Sequence, residues 1–532
     1  MKPTSKISIA LAIVLTIACT SCSGVMERNP NVLVNTISAD PTTLNPITAT
    51  DAYAGDVNRY IFESMLDRNN ETLDLKPKLA ERWEISPDHL TYTFWLRKGV
   101  KWQDGKPFTA DDVIYTFERI RDPKVDAAML RNYYRDVKEI RKVDDYTVRI
   151  TYAKPYFRAL EMIGGASIIP KHIYGDGQDF NSHTANRAPI GTGPYRFVEW
   201  KTGRDIVLTR SDSYWGDEPA IAGVVFKIVP DSTVSFQLLK KGAVDVGGMR
   251  AIQWVRQTES QSFKDKFTKY RYYLPNYSYI GWNMRSPLFK DRRVRLAMAM
   301  MVNREEILEK ILLGQGEIVA SAFYKFGDQA DPNLKPVPYD PDRARELLAE
   351  AGWKDTNRDG ILDKDGVPFR FELLSAAGSN TSRSISLFMK EDLRKMGIDM
   401  DIRQLEWATM IKLIHDRKFD AAMLAWSMPL VQDPYQLWHS SQAEKGSNFV
   451  GFESARVDSL VEEARQEFDK ERRNEMYREF QWIVHEEQPY TFLYSQPSLV
   501  AVANRFEDVV AYRLGLDPLE WTVGPWPKLI EW

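Results

Sequence analysis

The chain carries six histidines, at 89, 172, 183, 415, 439 and 485, and no two of them fall into an H-E-x-x-H or comparable zinc spacing. No G-x-S-x-G elbow, S-x-x-K pair or Walker A loop supplies a nucleophile or a phosphate cradle. Both cysteines, Cys19 and Cys22, lie near the N-terminus, so thiol chemistry is absent from everything downstream. Any two of the 74 acidic residues could still meet across a cleft as an acid–base pair, which spacing alone does not decide. The balance points to binding rather than catalysis.

One string has the form of a metal site. Asp355, Asn357 and Asp359 place oxygen ligands as in the first half of an EF-hand loop, with Gly360 at the turn position. The bidentate glutamate that should end the loop is replaced by Gly366. A turn held by side-chain to backbone hydrogen bonds is the favoured reading, a structural calcium site the alternative, and no cofactor is expected. Aromatic rings offer a different chemistry. In the run from Trp426 to Trp438, Trp426, Tyr435 and Trp438 can wall a ligand, while Ser440, Ser441 and Asn448 can hydrogen-bond a polar one; each ring would serve a core equally well.

These groups need elements to position them. Thr91–Leu96, rich in β-branched and aromatic residues, predicts a strand, and Asp104-Gly105 a tight turn. Thr109 opens a helix: its hydroxyl can cap the N–H of Asp112, and two aspartates sit where the helix dipole favours negative charge. Further helices are predicted over 56–66, over 235–246 with Gly242 and Asp245 closing it, from Pro341 to Gly352, over 385–395 and over 458–487. Residues 31–37 and 279–283 read as strands. In Gly191-Thr192-Gly193-Pro194-Tyr195, two glycines before a proline permit a backbone path that side chains would block.

At 532 residues two or three domains are expected. Hydrophobic content of 43% and charged content of 27% suit a soluble globular chain, and a net charge of -3 gives no reason to invoke nucleic acid. Residues 1–22 read as a processing leader: Lys2 and Lys6 precede an apolar run from Ile7 to Ile17 that is too short to span a bilayer. The string Leu15–Cys19 resembles a lipobox, which makes Cys19 the expected acylation site and Cys22 the alternative. The exported remainder must be stable without disulfides.

The whole string from Leu79 to Phe117, LAERWEISPDHLTYTFWLRKGVKWQDGKPFTADDVIYTF, resembles the signature region of the family 5 extracellular solute-binding proteins, the oligopeptide and dipeptide receptors of ABC importers. Asp40–Pro46 (DPTTLNP), GTGPY at 191–195, Tyr214-Trp215-Gly216 and the LLKKGAVD string ending at Asp245 extend the resemblance over most of the chain. It implies an α/β, periplasmic-binding-protein-like class II bilobal fold with an extra domain. By resemblance, domain I comprises 31–55, 185–270 and 490–532 and carries both termini, the extra domain II comprises 56–184, and the second lobe comprises 271–489.

The resemblance also implies a function. A monomeric, non-enzymatic receptor in the periplasm or cell envelope, tethered by its N-terminal lipid, would clamp a di- or oligopeptide between its lobes and deliver it to a membrane permease served by an ATPase. A non-peptide solute such as an oligosaccharide or metal chelate is the alternative ligand, and an envelope chaperone or signalling receptor is a further alternative. In peptide-binding relatives the tryptophan matched by Trp426 is followed three residues on by an aspartate that pairs with the peptide amine. Here Pro429 stands in that place, so Asp433 is the expected substitute, or the ligand lacks a free amine. Trp282 and Asn283 match positions where family members offer backbone to an extended ligand, and Tyr53, after DPTTLNP, is expected on the first lobe. The ligand set is therefore Tyr53, Trp282, Asn283, Trp426, Asp433, Tyr435 and Trp438.

Overall fold

A computed structural model describes residues 29–524. Cys19 and Cys22, with the leader expected around them, lie outside the described residues.

The first lobe is built on two sheets. Val32–Ile37 runs parallel to Gly223–Ile228, which is followed across the sheet by Asp205–Arg210 and Tyr195–Lys201. Val246–Gly248, Ser498–Ala503 and Phe267–Tyr272 form the second. A buried ion pair fastens the first strand to both: Arg505 donates to Asp245 Oδ2 at 2.7 Å and to the Val32 carbonyl at 2.7 Å, while Asp245 accepts the Val34 N–H at 2.8 Å. Asp245 therefore does not close a helix, as the 235–246 pattern suggested. The helix spans Ser232–Lys240 and is followed by Gly242 in the left-handed region at φ 68°.

A second correction concerns the helix expected over 56–66. Asp51 accepts the Ala54 N–H at 2.8 Å and starts the helix early, at Ala52–Ile61, after which Phe62 turns extended and leads into the extra domain. That domain is an antiparallel sheet of Ala80–Ile85, Thr91–Leu96, Thr147–Tyr152 and Val137–Asp144 beside the helix Ala110–Arg121. Thr109 caps this helix and Asp112 completes the capping box. The buried Asp112 carboxylate also takes the Lys171 N–H at 2.9 Å and Trp102 Nε1 at 3.3 Å.

The extra domain and first lobe share one continuous hydrophobic core, running from Leu33 and Phe226 through Ile61 and Tyr195 to Trp102, Phe94 and Phe117. Gln103 fastens the junction. Its backbone N–H donates to the Gly191 carbonyl at 3.0 Å, its Oε1 accepts the Gly191 N–H at 3.0 Å, and its Nε2 donates to the carbonyls of Gly193 and Tyr195 at 3.0 and 2.8 Å. The glycines are required by closeness: a Cβ at Gly191 would lie 1.8 Å from the Ile61 carbonyl oxygen, and one at Gly193 2.7 Å from it. Tyr214 and Trp215 donate to Glu63 at 2.9 and 2.8 Å, and Lys78 pairs with the same carboxylate at 3.2 Å. The GTGPY and YWG strings thus weld two domains together.

The second lobe has a five-stranded sheet in the order Asp399–Leu405, Arg370–Ala376, Ala421–Ser427, Asn276–Trp282, Tyr490–Phe492, with hydrophobic cores of its own. The first three strands are parallel and the fourth runs against them. Because Tyr490–Phe492 pairs with Asn276–Trp282, residues 490–495 belong to this lobe and the boundary expected at 490 moves to Gln496. The expected long helix over 458–487 divides into Ala455–Gln466 and Lys470–Glu487, the second capped by Asp469.

Candidate functional site

Among the described residues two segments connect the lobes through the hinge: the chain leaves the first lobe after Tyr272 and enters the second at Asn276, then returns from Ser495 to Ser498. Asn276 clamps the crossings to one another. Its Nδ2 donates to the carbonyls of Leu274 and Gln496 at 2.8 and 3.0 Å, and its Oδ1 accepts the Gln496 N–H at 2.9 Å. The edge of the second-lobe sheet at these crossings is the carboxyl end of its parallel strands, at Ala376, Leu405 and Ser427. In open α/β sheets ligands bind beyond the carboxyl ends of strands, in the crevice where strand order switches. The space between the lobes at this edge is the candidate cleft.

The strand directions sort the expected residues. Register pairs Asn276 with Ser427 and Trp282 with Ala421, so Trp282 and Asn283 lie at the far edge of the sheet. Trp282 is 0% exposed, donates to Thr491 Oγ1 at 2.9 Å and packs against Phe289 and Phe371. Asn283 is buried and holds the Phe419 carbonyl at 2.7 Å. Trp438, 1% exposed, sits among Phe452, Phe480 and Tyr490. All three are core residues rather than cleft walls: the two rings gain more from packing than from solvent, and the Asn283 amide satisfies buried backbone carbonyls. Asn448, also buried, closes a turn onto Phe452.

Two of the expected residues stand at the carboxyl edges, and a third, Tyr435, lies where the extra domain meets the second lobe. Trp426, half-buried, stands one residue before the carboxyl edge and lies parallel to Phe449 with ring centroids 5.9 Å apart. Tyr53, half-buried, touches Ser38 just past the carboxyl end of the strand Val32–Ile37, the equivalent edge of the first lobe. Tyr435 is stacked on His439 at 4.3 Å with the guanidinium of Arg135 5.0 Å from its ring.

Asp433 is not available to a ligand amine. The side chain is 5% exposed and accepts the Tyr156 hydroxyl at 3.0 Å, while Arg465 pairs with the same oxygen at 3.4 Å and the Tyr435 N–H with the other at 3.1 Å. Burial, with this carboxylate beside it, drives the Tyr156 phenol well above its ordinary pKa and keeps it a proton donor. The Asp355 loop is likewise internally satisfied: Asp355 accepts the Gly360 N–H at 3.1 Å, Asn357 that of Asp359 at 2.9 Å, and Asp359 that of Ile361 at 2.8 Å.

Trp407 went unnoticed in the sequence. It shares a helical stripe with Met410 and Ile414 and so reads as core, yet it is 55% exposed because the first turn of its helix projects past the carboxyl edge at Leu405. A glutamate N-cap, Glu406, directly after a strand was the signal that this ring starts a helix at the sheet's rim.

Residues 74–448 match the family model for bacterial extracellular solute-binding proteins, family 5 (middle region). The chain is 31% identical over 532 residues to the oligopeptide-binding protein AppA of Bacillus subtilis, covering 95% of this chain and 96% of that protein. The structure of AppA in complex with a nonapeptide superposes with a TM-score of 0.82 at 30% identity, covering 93% of this chain and 99% of the other. NikZ of Campylobacter jejuni, in complex with Ni(L-His), reaches a TM-score of 0.82 at 25% identity, with 93% and 100% covered. With the bilobal architecture, the hinge and the carboxyl-edge cleft in place, the chain belongs to the family 5 bacterial extracellular solute-binding proteins.

Proposed function

We propose that this protein captures peptides in the interlobe cleft and delivers them to the permease of an ABC importer. The observation that carries the reading is the cleft itself: two carboxyl sheet edges face one hinge, and the same architecture over 93% of the chain holds a nonapeptide in AppA. Exposed strand-edge backbone recognises an extended peptide through main-chain hydrogen bonds that ignore its sequence, so broad specificity follows. Tyr53, Trp407 and Trp426 supply apolar walls, and Ser427 a hydroxyl. Closure buries the ligand and changes the surface offered to the permease, which converts binding free energy into a docking signal without covalent chemistry. The acylated Cys19, or Cys22 in its place, would hold the receptor at the membrane.

Pro429 offers no carboxylate and Asp433 is engaged within the protein, which favours a site that leaves the peptide amine without a fixed partner. Calorimetric titration with a nonapeptide, its N-acetylated form and a cello-oligosaccharide tests both points. Acetylation is expected to change the affinity by less than about threefold, whereas a receptor burying the ammonium against an acid would lose about a hundredfold. Heat from the sugar alone overturns the peptide reading.

A further inference from the structure

Among its contacts with the second lobe, the extra domain meets the segment leaving the cleft edge after Trp426. Residues 428–435 are tied at both ends. Met428 N–H donates to the carbonyl of Pro275 in the hinge at 2.8 Å. Gln329 brackets Gln432, accepting its backbone N–H at 2.7 Å and donating to its carbonyl at 2.9 Å. Asp433 then meets Tyr156 of the extra domain, whose side chain is 3% exposed, at 3.0 Å. The Arg465 guanidinium sits 4.8 Å from the ring of Tyr156 and 4.7 Å from that of Tyr435, closing a cation–aromatic sandwich on the same carboxylate. Next to it, the Phe157 N–H donates to the Arg465 carbonyl at 2.9 Å, and Tyr133 donates to Gln436 at 3.3 Å.

The extra domain shares its core with the first lobe, so these contacts bridge the two bodies that must part for a ligand to enter. We propose that Tyr156 and Arg465 are positioning residues for the ligand segment: by docking on Asp433, the extra domain sets residues 428–435 at the cleft rim, so that lobe closure and shaping of the site are one event. Opening then frees the segment together with the ligand, and the dock governs how long the ligand stays. This deepens the peptide reading and rests on it only for the ligand-binding half of its test.

Tyr156→Phe keeps the ring and deletes the hydroxyl. Two measurements on the full mature chain decide the matter. In ligand-free protein, hydrogen exchange of the Gln432 and Tyr435 amides is expected to quicken by about tenfold while the sheet amides of Ala421–Ser427 keep their protection. With the nonapeptide, the dissociation rate is expected to rise about five- to tenfold at an unchanged association rate. Asp433→Asn should do the same, and the double variant should add nothing to either single one. Unchanged exchange over 428–435 in Tyr156→Phe overturns the proposal, as do additive effects of the two substitutions. A wild-type protein that binds no nonapeptide sinks the peptide reading instead, and the exchange comparison, which needs no ligand, still decides this one.

Discussion

The extra domain shares a hydrophobic core with one neighbour and only touches the other. Against the first lobe the junction is close and apolar: Gly191 and Gly193 lie where no side chain fits, Gln103 makes four hydrogen bonds to main-chain groups, Glu63 gathers Tyr214, Trp215 and Lys78, and apolar side chains of both units form one core. Against the second lobe there is no shared core among the described residues: a backbone hydrogen bond, Phe157 N–H to the Arg465 carbonyl, is joined by side-chain contacts, with His89 stacked on Phe468 at 3.7 Å, Arg473 held 4.3 Å from the Phe157 ring, and the Tyr156–Asp433–Arg465 cluster. A shared core costs too much to separate under native conditions, while stacked rings and single hydrogen bonds contribute amounts that ligand binding can match. The lesson is that the extra domain and first lobe act as one jaw and the second lobe as the other.

That contrast can be broken or sharpened by substitution. The largest effect is expected from Gly191→Ala, whose Cβ would meet the Ile61 carbonyl oxygen at 1.8 Å; overpacking against rigid backbone should cost about 3 kcal/mol or more in chemical denaturation. A loss below 1 kcal/mol would mean the weld is looser than its geometry. Glu63→Gln comes next. It leaves Lys78 without its counter-charge and turns one acceptor facing Tyr214 or Trp215 into a donor, for a loss of about 2 kcal/mol that calorimetric melting would register. The smallest is Phe468→Ala at the other junction: stability should fall by no more than about 1 kcal/mol, while small-angle scattering of the ligand-free protein shifts toward more open particles. If Phe468→Ala instead destabilises as much as Glu63→Gln, the two junctions are alike and the single-jaw picture fails.

Local chemistry was legible because it is local. The cap at Thr109, the turn at Gly105 and the strand Thr91–Leu96 stand where side-chain shape and hydrogen-bonding capacity place them. The strings GTGPY and YWG announced a family, but their purpose, welding Gly191 to Ile61 and Tyr214 to Glu63, joins residues more than a hundred positions apart. Among the ligand candidates, Trp282 and Trp438 were misread for one reason: an aromatic ring has the same local pattern whether its side of the element faces the cleft or the lobe's interior; Asn283 follows Trp282 at the far edge of the sheet and is spent on the Phe419 carbonyl. Asp433 was misread for another, since its partners Tyr156 and Arg465 come from distant segments.

The sequence by itself determined most element types, the cap at Thr109 and the turn at Gly105, the membership of a family and the absence of a free carboxylate at Pro429, because each depends on neighbours along the chain. Only the tertiary structure decided which edge of the second-lobe sheet is open, that Asp433 is already paired with Tyr156 and Arg465, and that Trp407 stands in solvent. Those outcomes follow from strand direction and from contacts across hundreds of residues, and a linear pattern carries neither.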